Sequence, residues 1–115
     1  MQERRKFNRF KLSVRAEFSI KTTLELSQQG KIIDFSREGT RIRIPSISLS
    51  KGENIELKVY LPHRNSPIPF QAQIRWIKVD KEEAEVGLKI THIDPREKNE
   101  ILNYAYKLWR ERIKK

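Results

Sequence analysis

From Leu12 the chain alternates: Leu12, Val14, Ala16, Phe18 and Ile20 are apolar, and Ser13, Arg15, Glu17 and Ser19 between them are polar. A period of two sends one set to a core and the other to water, which predicts a half-buried strand. Lys31 to Phe35 reads as a second strand, after a short segment around Leu24 and Leu26 and a turn at Ser27, Gln28, Gln29 and Gly30. Ser36 to Gly39 has turn chemistry, with a glycine able to take positive φ. Alternation returns at Thr40–Ile44, where Ile42 and Ile44 face one way and Arg41 and Arg43 the other, and Pro45 ends it. Beyond Gly52, Ile55, Leu57, Val59 and Leu61 form the next apolar stripe. Pro62, Pro67 and Pro69 bracket a loop, and Phe70, Ala72, Ile74 and Trp76 then alternate with polar residues. A polar hairpin at residues 80–83 leads into Val86, Leu88 and Ile90. Six or seven short strands at regular spacing predict an antiparallel sandwich or barrel.

The C-terminal segment has a different period. Asp94 is a good N-cap, Pro95 suits the first helical position, and Glu97 is placed to complete a capping box. Ile101, Leu102, Ala105, Leu108 and Trp109 recur at helical spacing, with Ile113 beyond them. Some of Tyr104, Tyr106 and Trp109 must pack on the strands, and the rest are available to a partner. Residues 1–9 show neither period and read as a flexible arm. The organisation expected is a single domain over 1–115: an arm at 1–10, a β-barrel at 11–92 and a helix at 94–114. The length of 115 residues suits one small core.

Charge changes the picture at the ends. The net charge is +10. Residues 1–15 hold six basic residues against one acid, and residues 105–115 hold five against one, so the rest of the chain is nearly neutral. Basic ends favour an anionic partner, although they also suit plain solvated termini. The chain has no cysteine, so disulfides, thiol catalysis and cysteine-ligated metals are excluded. His63 and His92 lie far apart, with no ligand spacing, and no metal or cofactor is expected. No apolar run reaches the roughly 20 residues of a membrane span, and the charged N-terminus lacks a secretory h-region, so a cytoplasmic protein is expected. Asp34 and Glu38 have no base or nucleophile spaced to serve them, and no phosphate loop of the strand–helix type occurs, so an enzyme is not expected.

Two stretches carry binding chemistry. Arg5 and Arg9 stand four apart on the arm, with Arg4 just before; a guanidinium fork grips phosphate bidentately and stacks on bases. Alone, such a pair is also an ordinary feature of a solvated terminus. Asp34, Ser36 and Gly39 lie at a strand end running into a turn. A carboxylate there accepts two hydrogen bonds from a guanine edge, a hydroxyl adds a third contact, and glycine admits a flat base. The same stretch also fits a turn in which Asp34 and Ser36 cap their own backbone amides. Arg41 and Arg43 are possible additions to such a site or ordinary solvent-facing strand residues. Trp76 alternates with core positions and is expected to be a core aromatic.

Taken together, Arg5-x-x-x-Arg9 followed some 25 residues later by Asp34-x-Ser36-x-x-Gly39 resembles the PilZ domain family. The resemblance continues through the Gly52–Pro62 stretch, Trp76 and Val86-Gly87-Leu88, and so covers the whole chain. It implies a mainly β fold, a six-stranded antiparallel β-barrel with a C-terminal α-helix. It also implies binding of the bacterial second messenger cyclic di-GMP, with Arg5 and Arg9 on phosphates and guanine, Asp34 and Ser36 on the guanine edge, and Gly39 giving close access. An arginine at the position of Arg4 goes, in the family, with two stacked, intercalated ligand molecules. The implied partner is an effector protein in motility, biofilm or exopolysaccharide control. Two alternatives stay open: a ligand-free PilZ-fold adaptor that binds only protein, and a single-stranded nucleic-acid binder. The second is disfavoured by the lack of clustered stacking aromatics on the strand faces.

Overall fold

The computed structural model describes residues 10–20, 28–45 and 49–113. Within them are six strands, β1 (Phe10–Ile20), β2 (Gln28–Phe35), β3 (Gly39–Pro45), β4 (Asn54–Val59), β5 (Ile68–Asp80) and β6 (Glu83–His92), and one helix, α1 (Pro95–Ile113). The strands close into an antiparallel barrel in the order β1-β2-β3-β6-β5-β4, with β4 paired back onto β1. Closure leaves no sheet edge among these strands. The alternation read from Leu12 onward is the inside–outside alternation of this barrel. Leu12, Val14, Ala16 and Phe18 point inward with Ile32, Ile42, Leu57 and Ile74, and all are buried. Phe35 and Phe70 meet edge to face there, with ring centroids 6.1 Å apart.

Helix α1 starts where the sequence predicts, with Asp94 as its cap but with Glu97 engaged elsewhere. The Asp94 carboxylate accepts hydrogen bonds from the N–H groups of Arg96 (2.8 Å) and Glu97 (3.4 Å). The Glu97 carboxylate turns outward to Arg64, at 3.3 Å. Ile101 and Ala105 are fully buried against the barrel. Further along, Tyr106 meets Phe10 at the start of β1 edge to face and Trp109 meets it at a tilt, with ring centroids 5.8 and 6.1 Å away. Arg112 donates to the Lys11 carbonyl at 3.3 Å. The helix therefore holds the first residues of β1, next to Arg9 in the chain.

Four local expectations are corrected. Gln28, Gln29 and Gly30 are strand, not turn, and pair with Phe18, Glu17 and Ala16. Gly30 is needed because a Cβ there would fall 2.9 Å from an Ile44 methyl. Pro69 is the second residue of β5, opposite Lys58, and near a strand start a proline is tolerated. Leu61 lies beyond the end of β4, yet it is buried. Trp76 is not a core residue: it is 38% exposed. Ile74 faces Leu88 and Trp76 faces Gly87, so Arg75 is an extra residue, a β-bulge. One extra residue inverts the alternation and sends Trp76 outward.

The hairpin at residues 80–83 forms as read, with Lys81 in the left-handed region at φ 56°. Arg4, Arg5, Arg9, Leu24, Leu26 and Ser27 lie outside the described residues.

Candidate ligand-binding site

The site is built by strand register. A second bulge, at Ile33, separates the pairs Ile32–Ile42 and Asp34–Arg41. It lets Ile32 and Phe35 both face inward while Asp34 points to the outer face. Lys11 lies opposite Asp34, Asp34 opposite Arg41, Arg41 opposite Gly87, and Gly87 opposite Trp76. Cross-strand partners share a face, so these five residues form one row over five strands. Phe10, which follows Arg9, is paired with Phe35, which follows Asp34. The start of β1, which follows Arg9 in sequence, is therefore paired with the end of β2 that carries Asp34.

Asp34 is 1% exposed although it faces outward. Its Oδ1 accepts the main-chain N–H of Arg41 at 3.0 Å, and its Oδ2 accepts Nε–H of the same residue at 2.5 Å. The other end of that guanidinium reaches Glu85 on β6, at 2.7 Å. Burial acts to lower the Arg41 pKa, but hydrogen bonds and charge from Asp34 and Glu85 outweigh it and hold the pKa above its ordinary value. Arg41 is thus a fixed cation inside the row. Arg43 stands farther out and meets Glu83 and Glu85 only at 3.9 Å.

The turn after Asp34 is closed by its own groups. The Ser36 N–H donates to the Gly39 carbonyl at 2.8 Å. The Ser36 hydroxyl lies 3.1 Å from the Gly39 carbonyl and 3.2 Å from its N–H. The Thr40 hydroxyl donates to the Asp34 carbonyl at 2.5 Å. The capping alternative thus describes Ser36, whereas Asp34 is tied to Arg41. Gly39 does not use positive φ; among the described residues the positive-φ glycine is Gly52. Glycine is required at 39 because a Cβ would fall 2.6 Å from the Leu88 carbonyl oxygen.

Three members of the row, Lys11, Gly87 and Trp76, were not among the site residues expected from the sequence. Trp76 lies over Gly87, and a Cβ at 87 would fall inside the indole. The flat ring is therefore seated on the sheet beside Arg41, with its outer part in solvent. The signal was present in Val86-Gly87-Leu88, because a glycine inside an alternating strand marks close approach. Two grooves, of about 420 and 560 Å³, lie elsewhere, and neither includes Asp34, Ser36, Gly39 or Arg41. Among the described residues no group of three His, Asp or Glu side chains is placed to hold a metal, and no helix is long and apolar enough to cross a membrane.

The fold and the row define a small closed barrel with a polar and aromatic strip on its outer face, capped by a C-terminal helix. Residues 3–107 match the family model of the PilZ domain, and the chain belongs to that family of ligand-binding and adaptor domains. Among solved structures, the chain is similar to the Bacillus subtilis inhibitor of motility MotI/DgrA (18% identity, TM-score 0.78, 96% of this chain and 53% of that one). It is also similar to the PilZ domain of Escherichia coli YcgR with c-di-GMP (15% identity, TM-score 0.74, 95% of this chain and 94% of that one). Against the longer YcgR chain, also in complex with c-di-GMP, identity is 16% and the TM-score 0.77, with 97% of this chain and 49% of that one covered. The chain thus spans about half the length of the motility inhibitor and of the longer YcgR chain. No curated protein sequence matches it.

Proposed function

We propose that this domain is a receptor for cyclic di-GMP. The observation that carries the reading is the row Asp34–Arg41–Gly87–Trp76, set beside the point where Phe10 brings the chain of the Arg5-x-x-x-Arg9 motif onto the barrel. A carboxylate accepts the two N–H groups of a guanine edge, and an exposed indole offers a face for a flat base. Arg5 and Arg9 supply forks for two phosphates, and Arg4 a further cation for a second, intercalated ligand molecule. Ser36 and Gly39 act mainly by shaping the turn that presents Asp34. Arg43, on the outer face next to Glu85, lies at the margin of the site. Membership of the PilZ family and the c-di-GMP complexes of YcgR support the same ligand.

Neutralising the arm with a dianion changes the surface offered to a partner. Phe10 packs on Tyr106 and Trp109, which are 43% and 38% exposed, so a change at the arm has a direct route to the outer face of the helix. The output is an effector protein, with motility, biofilm or exopolysaccharide control as its setting, in the bacterial cytoplasm where the messenger acts. The domain works by binding and needs no catalysis.

Calorimetric titration with cyclic di-GMP at moderate salt tests this. Saturable binding near two ligands per protein supports both the receptor and the role of Arg4. A ratio near one keeps the receptor and removes the ligand pair. Arg9→Ala is expected to lose most of the affinity with an unchanged melting temperature. No binding by the parent protein overturns the reading and favours an adaptor that binds only protein. Binding by Arg9→Ala equal to the parent overturns the site assignment.

A further inference from the structure

Arg41 holds both oxygens of one carboxylate. Its main-chain N–H takes Oδ1 and its Nε–H takes Oδ2, while its Nη1 is held by Glu85 across the β3–β6 pairing. Two donors from one residue fix the plane of the Asp34 carboxylate, because neither oxygen can rotate away without losing a charge-assisted or main-chain bond. Glu85 in turn fixes the guanidinium.

This arrangement bears on which base is read. Guanine presents two adjacent donors on its pairing edge, N1–H and the N2 amine. Adenine presents an acceptor at N1 beside its amine. An ionised carboxylate in a fixed plane rewards the first and leaves the second with an acceptor facing an acceptor.

We propose that Arg41 is the positioning residue that makes Asp34 selective for guanine over adenine, and that Glu85 supports it from β6. This rests on the receptor reading above and goes beyond it, since neither residue needs to touch the ligand. The distinctive expectation is a change in selectivity. A residue that only stabilised the barrel would lower the melting temperature and leave the ratio of affinities alone.

The test is a pair of titrations, with cyclic di-GMP and with cyclic di-AMP, on parent, Arg41→Gln, Glu85→Gln and the double variant, with thermal melts to verify folding. Losing a charge-assisted support is expected to weaken cyclic di-GMP binding by Arg41→Gln about tenfold, with cyclic di-AMP unchanged, so selectivity falls by the same factor. Glu85→Gln is expected to act about threefold in the same direction. The double variant should resemble Arg41→Gln alone, because Glu85 acts through Arg41. If Arg41→Gln does not fold, Arg41→Lys keeps the charge without the fork and is expected to lose selectivity in part. A folded variant at position 41 with the parent's ratio overturns the inference and leaves the receptor standing. Tighter binding by Arg41→Gln also overturns it, by making Arg41 a resident competitor for Asp34. A parent protein that binds no cyclic di-GMP defeats the receptor reading, and this inference falls with it.

Discussion

Arg41 and Arg64 each bridge two carboxylates, and they do different work. Arg41 spans Asp34 and Glu85 on the outer face of the barrel. Arg64 spans Glu97 and Glu100, at 3.3 and 2.9 Å, and ties the loop after β4 to the first turns of α1. Exposure of the arginine does not separate them, since the side chain is 30% exposed for Arg41 and 19% for Arg64. The carboxylates do: the Asp34 side chain is 2% exposed, against 27% and 38% for Glu97 and Glu100. Asp34 also accepts a main-chain N–H, so its geometry is set by the sheet register. Glu97 and Glu100 sit on a helix surface within reach of water. A site needs an acceptor whose position is imposed by the fold, and a clamp only needs opposite charges near each other.

Removing the acceptor separates the two arginines most strongly. Asp34→Ala leaves the Arg41 main-chain N–H and guanidinium without that partner, in a part of the barrel where water has little access. The expected cost is about 2 kcal/mol, below the range for a fully buried pair because Arg41 is itself partly exposed. Urea unfolding measures it. A cost no larger than that of removing Arg64 would show that burial of the acceptor is not what distinguishes the two arginines.

The aromatic end of the row gives a smaller test. In Gly87→Ala the new methyl occupies the place of the Trp76 indole, so the ring must swing off the sheet. Overpacking of this kind costs about 1–2 kcal/mol. If Trp76 is the platform for a base, ligand affinity should fall as well. Gly87→Ala with unchanged affinity and a displaced indole, seen as a shift in Trp emission, would confine the site to Asp34 and the arm.

Much of the barrel was legible because half-buried strands alternate, and Leu12–Phe18 and Ile55–Val59 keep a strict period of two. The Asp34-x-Ser36-x-x-Gly39 turn was legible as chemistry. Trp76 and Pro69 were misread where one residue is inserted or a proline is tolerated, and Gln28–Gly30 because turn-type residues there continue a paired strand. The bulge at Arg75 turned Trp76 from a core position into a surface platform, and its mark in the linear pattern is the change of phase at Trp76-Ile77, where Ile77 takes over the inward side. The bulge at Ile33 paired Asp34 with Arg41, so the ionic chain running on to Glu85 is a product of register across three strands. The helix cap was half legible. Asp94 caps as its position requires, whereas Glu97 is drawn to Arg64, which lies 33 residues away in sequence. Arg4, Arg5 and Arg9 lie outside the described residues, so their roles rest on the motif.

The smallest effect belongs to the clamp. Arg64→Ala removes two ion pairs whose carboxylates are partly open to solvent, and pairs screened in this way are worth about 1 kcal/mol or less. Solvent screens them further, so raising the salt from about 0.1 to 1 M, where the Debye length falls to roughly 3 Å, should shrink even this cost. The Asp34→Ala cost should persist in the same salt, because a desolvated polar group is not relieved by mobile ions. Arg64→Ala should also leave cyclic di-GMP affinity unchanged, since Arg64 stands with the helix and not in the Asp34 row. A loss of affinity on removing Arg64 would mean that the loop after β4 and the start of α1 are coupled to the site, and the division between site and clamp would no longer hold.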